Sequence, residues 1–257
     1  MNNEIHNRVF DDEKVIYINF DTININGSTT PFNCIAPLEI PLKDKIKSIE
    51  LIDIQIPIGF YNIRSPYNTF TFLQTTPPTN QNISRTATIP VGNYNISTLV
   101  TALQTAINAV LFAATFLVSY SSVTNLINIS TNPAVSIIIS PNFSVFSNVI
   151  CGFTQSQTGT SITASYPFNL NYDLYLFLSL DNIKTDFINK YACSFKIPIN
   201  VNNGNILFYN EIIRGDHQIM INNFVSLSYF QISVRDRFGN IIDNNNLDFS
   251  FKLRIVL

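Results

Sequence analysis

Two histidines, His6 and His217, three cysteines, Cys34, Cys151 and Cys193, and scattered carboxylates make up the chain's inventory of reactive side chains. Two imidazoles cannot complete a three-histidine metal site. Asp216 beside His217 has the residue types of an orienting carboxylate and a base, yet neighbours on a strand face opposite ways. The preceding Arg214-Gly215 carries turn chemistry, so a surface loop is expected there. Glycoside hydrolysis needs two carboxylates on facing elements, and Glu50, Asp53, Asp173, Asp181 and Asp186 are candidates that no spacing narrows to a pair. Residues 243–248, DNNNLD, are rich in oxygen ligands but lack the glycine and distal glutamate of a calcium loop, which leaves a hairpin turn. Nucleophile-elbow, phosphate-cradling and dinucleotide glycine motifs are all missing. The cysteines are odd in number with no short spacing, which predicts buried free thiols. The chain therefore reads as one with no catalytic, cofactor-binding or metal-ligating residues, and as no enzyme.

The surface chemistry points the same way. Only 12% of residues are charged while 46% are apolar, a balance that argues for a folded chain and against disorder. Asn, Ser and Thr do the solubilising, and such a surface suits packing against neighbours. The net charge is −2 and no cluster of five basic residues occurs, so the electrostatic footprint of a nucleic-acid binder is lacking. Residues 43–47, KDKIK, read as a solvated turn. No apolar run reaches the ~18 residues a membrane helix needs, and residues 1–14 are too polar for a secretory leader. Without a leader, the Asn-x-Ser sequons at Asn26, Asn82, Asn95, Asn128 and Asn142 read as chance products of an Asn- and Ser-rich chain.

Strands dominate the pattern. Over residues 247–257 Leu247, Phe249, Phe251, Leu253, Ile255 and Leu257 alternate with mostly polar residues, which predicts a half-buried strand. Phe230, Ile232 and Val234 alternate likewise, and with turn chemistry at residues 236–240 the two runs are expected to pair. Further strands are expected at 15–25, 35–42, 46–56, 69–73, 116–120, 126–130, 135–140, 173–180, 192–199 and 219–234. Residues 75–82, holding Pro77-Pro78, read as a linker and 155–164 as an exposed loop. One helix stands out after Asn95 or Ser97, where Leu99, Leu103 and Ile107 recur at four-residue spacing and Val100, Ala106 and Val110 widen the stripe.

About four strands before the helical segment and four after it predict a mainly β chain, an eight-stranded antiparallel jelly-roll sandwich with a small α+β insertion carrying one amphipathic helix. The expected divisions are a flexible N-terminal arm at 1–13, the jelly roll at 14–84 plus 156–257, and the insertion at 85–155. A two-domain chain split near residue 160 would leave unprotected sheet edges.

Three groups of residues carry a resemblance. Residues 46–57, IKSIELIDIQIP, lead into Phe60-Tyr61-Asn62-Ile63 and Asn68-Thr69-Phe70. Residues 89–99, IPVGNYNISTL, precede a hairpin at 118–124 and Cys151-Gly152-Phe153. Residues 234–240, VRDRFGN, precede the strand LDFSF at 247–251. In this order they resemble the penton and minor capsid proteins of icosahedral double-stranded DNA viruses with double-jelly-roll major capsid proteins. That group includes giant viruses of protists, virophages, polinton-like viruses and, more remotely, adenovirus. Cys151 stands where that family often has leucine.

The resemblance implies a structural virion protein: a single-jelly-roll penton subunit forming a homopentamer at the fivefold vertices and contacting the major capsid protein and other minor capsid proteins. It implies location in the capsid, with assembly inside the host cell, no catalytic residues and no cofactor. Direct nucleic-acid contact and a membrane span are not expected. The alternatives are another minor capsid role, as cement or spike, and a receptor- or glycan-binding head whose insertion meets a host receptor.

Overall fold

The computed structural model describes residues 14–25, 30–42, 46–76, 81–110, 114–131, 135–140, 142–183, 194–210, 218–221 and 227–257. The expectations for residues 1–13, His6, Asn26, Asp186, Cys193, Asp216 and His217 fall outside them. In chain order the strands and the helix are β1 (Val15–Asp21), β2 (Asn33–Leu42), β3 (Ser48–Pro57), β4 (Thr69–Thr76), β5 (Gln81–Thr88), α1 (Ile96–Val110), β6 (Phe116–Tyr120), β7 (Ile127–Thr131), β8 (Ser136–Ile139), β9 (Gln157–Gly159), β10 (Ser161–Thr163), β11 (Tyr175–Leu180), β12 (Ser194–Pro198), β13 (Ile206–Asn210), β14 (Gln218–Met220), β15 (Leu227–Arg235) and β16 (Ser250–Val256). The chain is mainly β with antiparallel pairing, and it divides into one unit of Met1–Phe60 with Asp173–Leu257 and another of Tyr61–Tyr172.

In the first unit the alternation of β16 puts Phe251, Leu253 and Ile255 in the core, each contributing roughly 1.5–3 kcal/mol on full burial. That strand is central: β1 pairs with it on one side and β3 on the other, giving a sheet ordered β1-β16-β3-β13 with β14 also on β3. The second sheet is ordered β12-β11-β15-β2. With β13 and β14 counted as one lane, the sheets read 1-8-3-6 and 5-4-7-2 in lane order, which is the jelly-roll arrangement. Neighbouring lanes come from both ends of the chain, so the segments before and after Tyr61–Tyr172 share one core. Phe20 of β1 meets Phe230 of β15 edge-on at 5.6 Å and stacks on Phe251 at 4.8 Å, linking side chains of both sheets.

Several sequence expectations are corrected. β15 and β16 do not pair; they lie in different sheets. The turn at Asp236 is real, since its carboxylate accepts from Phe238 N (2.9 Å) and Asn240 N (3.0 Å), but the chain returns along β15 only as far as Ile242. Asn245 and Asn246 then take left-handed conformations and turn the chain toward the other sheet. The strand expected over 15–25 stops at Asp21, whose side chain accepts from Ile23 N and starts a 3-10 turn. Buried Thr22 fixes that turn by donating to Asp248 and accepting from Phe249 N, both at 2.9 Å. Three strands, rather than four, precede the inserted unit.

The boundaries also move, from 84/85 and 155/156 to 60/61 and 172/173. Residues 75–82 do not separate units: β4 and β5 pair over their whole length, and β8 and β9 complete their sheet in the order β5-β4-β8-β9. The supposed loop at 155–164 supplies β9 and β10, the latter in a sheet ordered β10-β7-β6. Helix α1 buries Leu99, Val100, Leu103, Ala106 and Ile107. Its amides stitch the edge of β6, Gln104 Oε1 accepting from Val118 N at 2.9 Å and Asn108 Oδ1 from Phe116 N at 2.8 Å.

Candidate functional surfaces

The residues that carry the resemblance turn out to hold the fold. In the unit Tyr61–Tyr172, the first two groups meet: Ile63 and Gly92 exchange both backbone bonds, and Asn62 accepts from Tyr94 N (2.9 Å) while donating to Tyr94 O (2.8 Å). Asn68 donates to Ile89 O. One residue later the helix begins in a reciprocal cap, Thr98 N donating to Asn95 Oδ1 (3.0 Å) and Asn95 N to Thr98 Oγ1 (3.1 Å). Buried Arg64 donates to Tyr61 O and to the Tyr172 hydroxyl, both at 3.1 Å, and faces the Tyr67 and Tyr172 rings. Gly152 has φ +81°, and its carbonyl accepts from Thr154, Ser165 and Tyr166 N.

Two of the acidic candidates, Glu50 and Asp181, are spent on similar work in the jelly-roll unit. Arg254 Nη1 donates to Glu50 Oε2 at 3.0 Å, and Arg235 Nη2 to Asp181 Oδ2 at 2.9 Å. Asp53 faces Lys252 in the β3–β16 register, and Asp173 precedes β11. The oxygen-rich run at 243–248 is a turn: Asn244 donates to Pro57 O and accepts from Gly59 N, both at 2.8 Å, while Asp243 accepts from Asn245 N. With Asn203 donating to Phe60 O at 2.7 Å, these amides clamp the point where the chain leaves the jelly roll. Among the described residues no group of three or more His, Cys, Asp or Glu is placed to hold a metal ion. Cys34 and Cys151 are buried free thiols; burial pushes Cys34 up to about 11 and Cys151 upward as well. Of the sequons, Asn95 serves as the helix cap and Asn128 donates to Ile162 O and Thr163 Oγ1.

The outer face of the β1-β16-β3-β13 sheet is polar along its middle, where Lys252, Arg254, Glu50, Asp53 and Gln55 lie. Its two margins are apolar: Tyr17 on β1 is 52% exposed, Ile206 and Phe208 on β13 are 62% and 55% exposed, and Met220 on β14 is exposed too. Sequence patterning missed β13, because Ile206-Leu207-Phe208-Tyr209 has no alternation; the Asn-rich residues before it were the available signal. A groove of about 1130 Å³ follows β1, its lining combining Ile16, Ile18 and Leu38 with Asp21, Asp53 and Lys252. The second unit exposes Val123 at the β6–β7 turn, with Leu117 and Tyr166.

The fold is a jelly roll interrupted by a helix-bearing unit. Comparison with solved structures agrees: the chain resembles the crystal structure of the selenomethionine-labelled mavirus penton protein with a TM-score of 0.51, over 95% of this chain and 100% of that one, at 10% identity. No protein-family model and no curated protein matches the chain. No helix among the described residues is long and apolar enough to cross a membrane.

Proposed function

We propose that this chain is a structural capsid protein, the penton subunit that closes the fivefold vertices of an icosahedral virion as a homopentamer and contacts the major capsid protein. The observation that carries this reading is the 1-8-3-6 and 5-4-7-2 sandwich with its inserted unit, a fold it has in common with the mavirus penton protein along nearly the whole chain. A cyclic ring needs two different patches on each subunit. Tyr17 at one margin of the outer sheet and Ile206 with Phe208 at the other supply two, separated by three inter-strand spacings, about 14 Å. No enzymatic role is assigned; two of the candidate carboxylates, Asp181 and Glu50, are held in ion pairs with Arg235 and Arg254.

A fivefold-averaged reconstruction of the virion that contains this chain tests the reading. Density fitting the jelly roll at the vertices supports it; the same fold found only at other positions, as cement or spike, overturns it. A second reading, a receptor- or glycan-binding head, draws on the exposed Val123, Leu117 and Tyr166. Saturable glycan-array binding lost in Val123→Asp supports that role, and an array without signal removes it.

A further inference from the structure

The jelly-roll unit has four sheet edges, and natural sheets blunt such edges with prolines, lysines, bulges or short strands. Three of them follow the rule. Edge strand β2 contains Pro37 and Pro41 and its pairing with β15 is broken by a register shift. Among the described residues strand β12 is five residues long with Lys196 and Pro198, and the remaining edge carries β13, of five residues, and β14, of three. Strand β1 has none of these devices: Val15-Ile16-Tyr17-Ile18-Asn19-Phe20 pairs with β16 in unbroken register, without proline or lysine. Because Lys14 O accepts from Leu257 N and Thr22 N donates to Phe249 O, the even-numbered residues between them bond to β16. The backbone groups of Val15, Tyr17, Asn19 and Asp21 therefore point out of the sheet, along the groove.

We infer that residues 1–13 of a neighbouring copy add to this edge as a further strand. The inference rests on the ring reading above. The groove is lined by the apolar Ile16, Ile18 and Leu38 and by charges of both signs, Asp21 and Asp53 with Lys14 and Lys252. In extended form, residues 5–10 put Ile5, Asn7 and Val9 on one face and His6, Arg8 and Phe10 on the other, so that Ile5 and Val9 extend the apolar row of Ile16 and Ile18 and Arg8 lies on the face of Asp21. The segment has no proline, so it can donate along its full length. Thirteen extended residues reach ~43 Å, enough to cross the ~14 Å from β1 to the β13 margin and continue onto the next subunit. Folding back onto its own β1 would need a tight turn at Asp11-Asp12-Glu13-Lys14, which lacks the Asn-Gly or Asp-Gly such turns favour.

Full-length copies carrying Arg8→Cys and differently tagged full-length copies carrying Asn19→Cys, both with Cys193→Ser, are co-expressed and treated with a short bis-maleimide; Cys34 and Cys151 are buried and stay silent. The expected result is a cross-linked product bearing both tags, at least tenfold above a control pairing Arg8→Cys with Tyr229→Cys on the other sheet. Signal no higher than the control overturns the inference, as does cross-linking confined to single chains of the double variant Arg8→Cys/Asn19→Cys. Pentamers without the two-tag product overturn this inference alone, whereas the two-tag product in an assembly of another order overturns the fivefold reading alone.

Discussion

Arg254 Nη1 lies 3.0 Å from Glu50 Oε2 on the adjoining strand, and the two partners differ in solvent access: the Glu50 side chain is 3% exposed and the Arg254 side chain 20%. The pair ties the last strand of the chain to one that precedes the inserted unit, and the hydrogen bond to Glu50 raises the Arg254 pKa further. Removing either partner strands the other, but a stranded Glu50 has less water. Arg254→Met is therefore expected to cost about 3 kcal/mol and Glu50→Gln about 1–2 kcal/mol, read from urea unfolding. Equal losses, or the reverse order, contradict the placement of this pair.

Two glycines with left-handed backbones separate strain from crowding. A Cβ on Gly152, at φ +81°, would collide with the Tyr166 carbonyl oxygen, whereas one on Gly204, at φ +85°, meets nothing within 4 Å. Gly204→Ala should cost only the backbone term, about 1 kcal/mol, and Gly152→Ala well above 3 kcal/mol. Thermal unfolding of the two variants checks the difference.

Burial of Cys34 has a pH signature. Its thiol is held up at about 11 against 9.0 in a free chain, so between those values the unfolded chain has lost the proton while the folded one keeps it. Stability must then fall as pH rises through this window, by about 2–3 kcal/mol from this group, and be unaffected by it below pH 9. Cys34→Ala is expected to flatten that alkaline slope; an unchanged slope in urea melts from pH 8.5 to 11 would refute the assignment. At pH 8 the native protein should leave Cys34 unreactive toward Ellman's reagent.

Phe208 and Ile206 protrude from β13 with more than half their surface in water. Phe208→Asp therefore removes little from the fold, and the melting temperature of the isolated subunit should move by no more than 1–2 °C. Its effect belongs to assembly, where loss of an aromatic anchor weakens association at least about tenfold. Sedimentation velocity across a concentration series reads both; intact assembly in this variant would place the interface elsewhere.

Much of the sandwich is visible in the chain because burial on one face writes a period of two, as at Phe251, Leu253 and Ile255. The helix is equally plain, since Asn95, Leu99, Leu103 and Ile107 combine a cap with a stripe. Pairing partners are not written locally. The alternating runs of β15 and β16 look like a hairpin, and only the hydrogen bonds that Asn244 makes to Pro57 and Gly59, nearly 190 residues away, turn the chain toward the other sheet. Likewise residues 75–82 look like a linker although β4 and β5 pair with each other, because proline in a sequence reports a break without saying what it separates. The roles of Glu50 and Asp181 were hidden for the same reason, their arginine partners lying 204 and 54 residues downstream.

Mass photometry of the purified full-length protein tests the central claim most directly. A shell subunit of the proposed kind gives a dominant species near 145 kDa, roughly five copies of the 29.0 kDa chain. A population that stays at 29.0 kDa across the accessible concentrations, or settles at two or three copies, contradicts it.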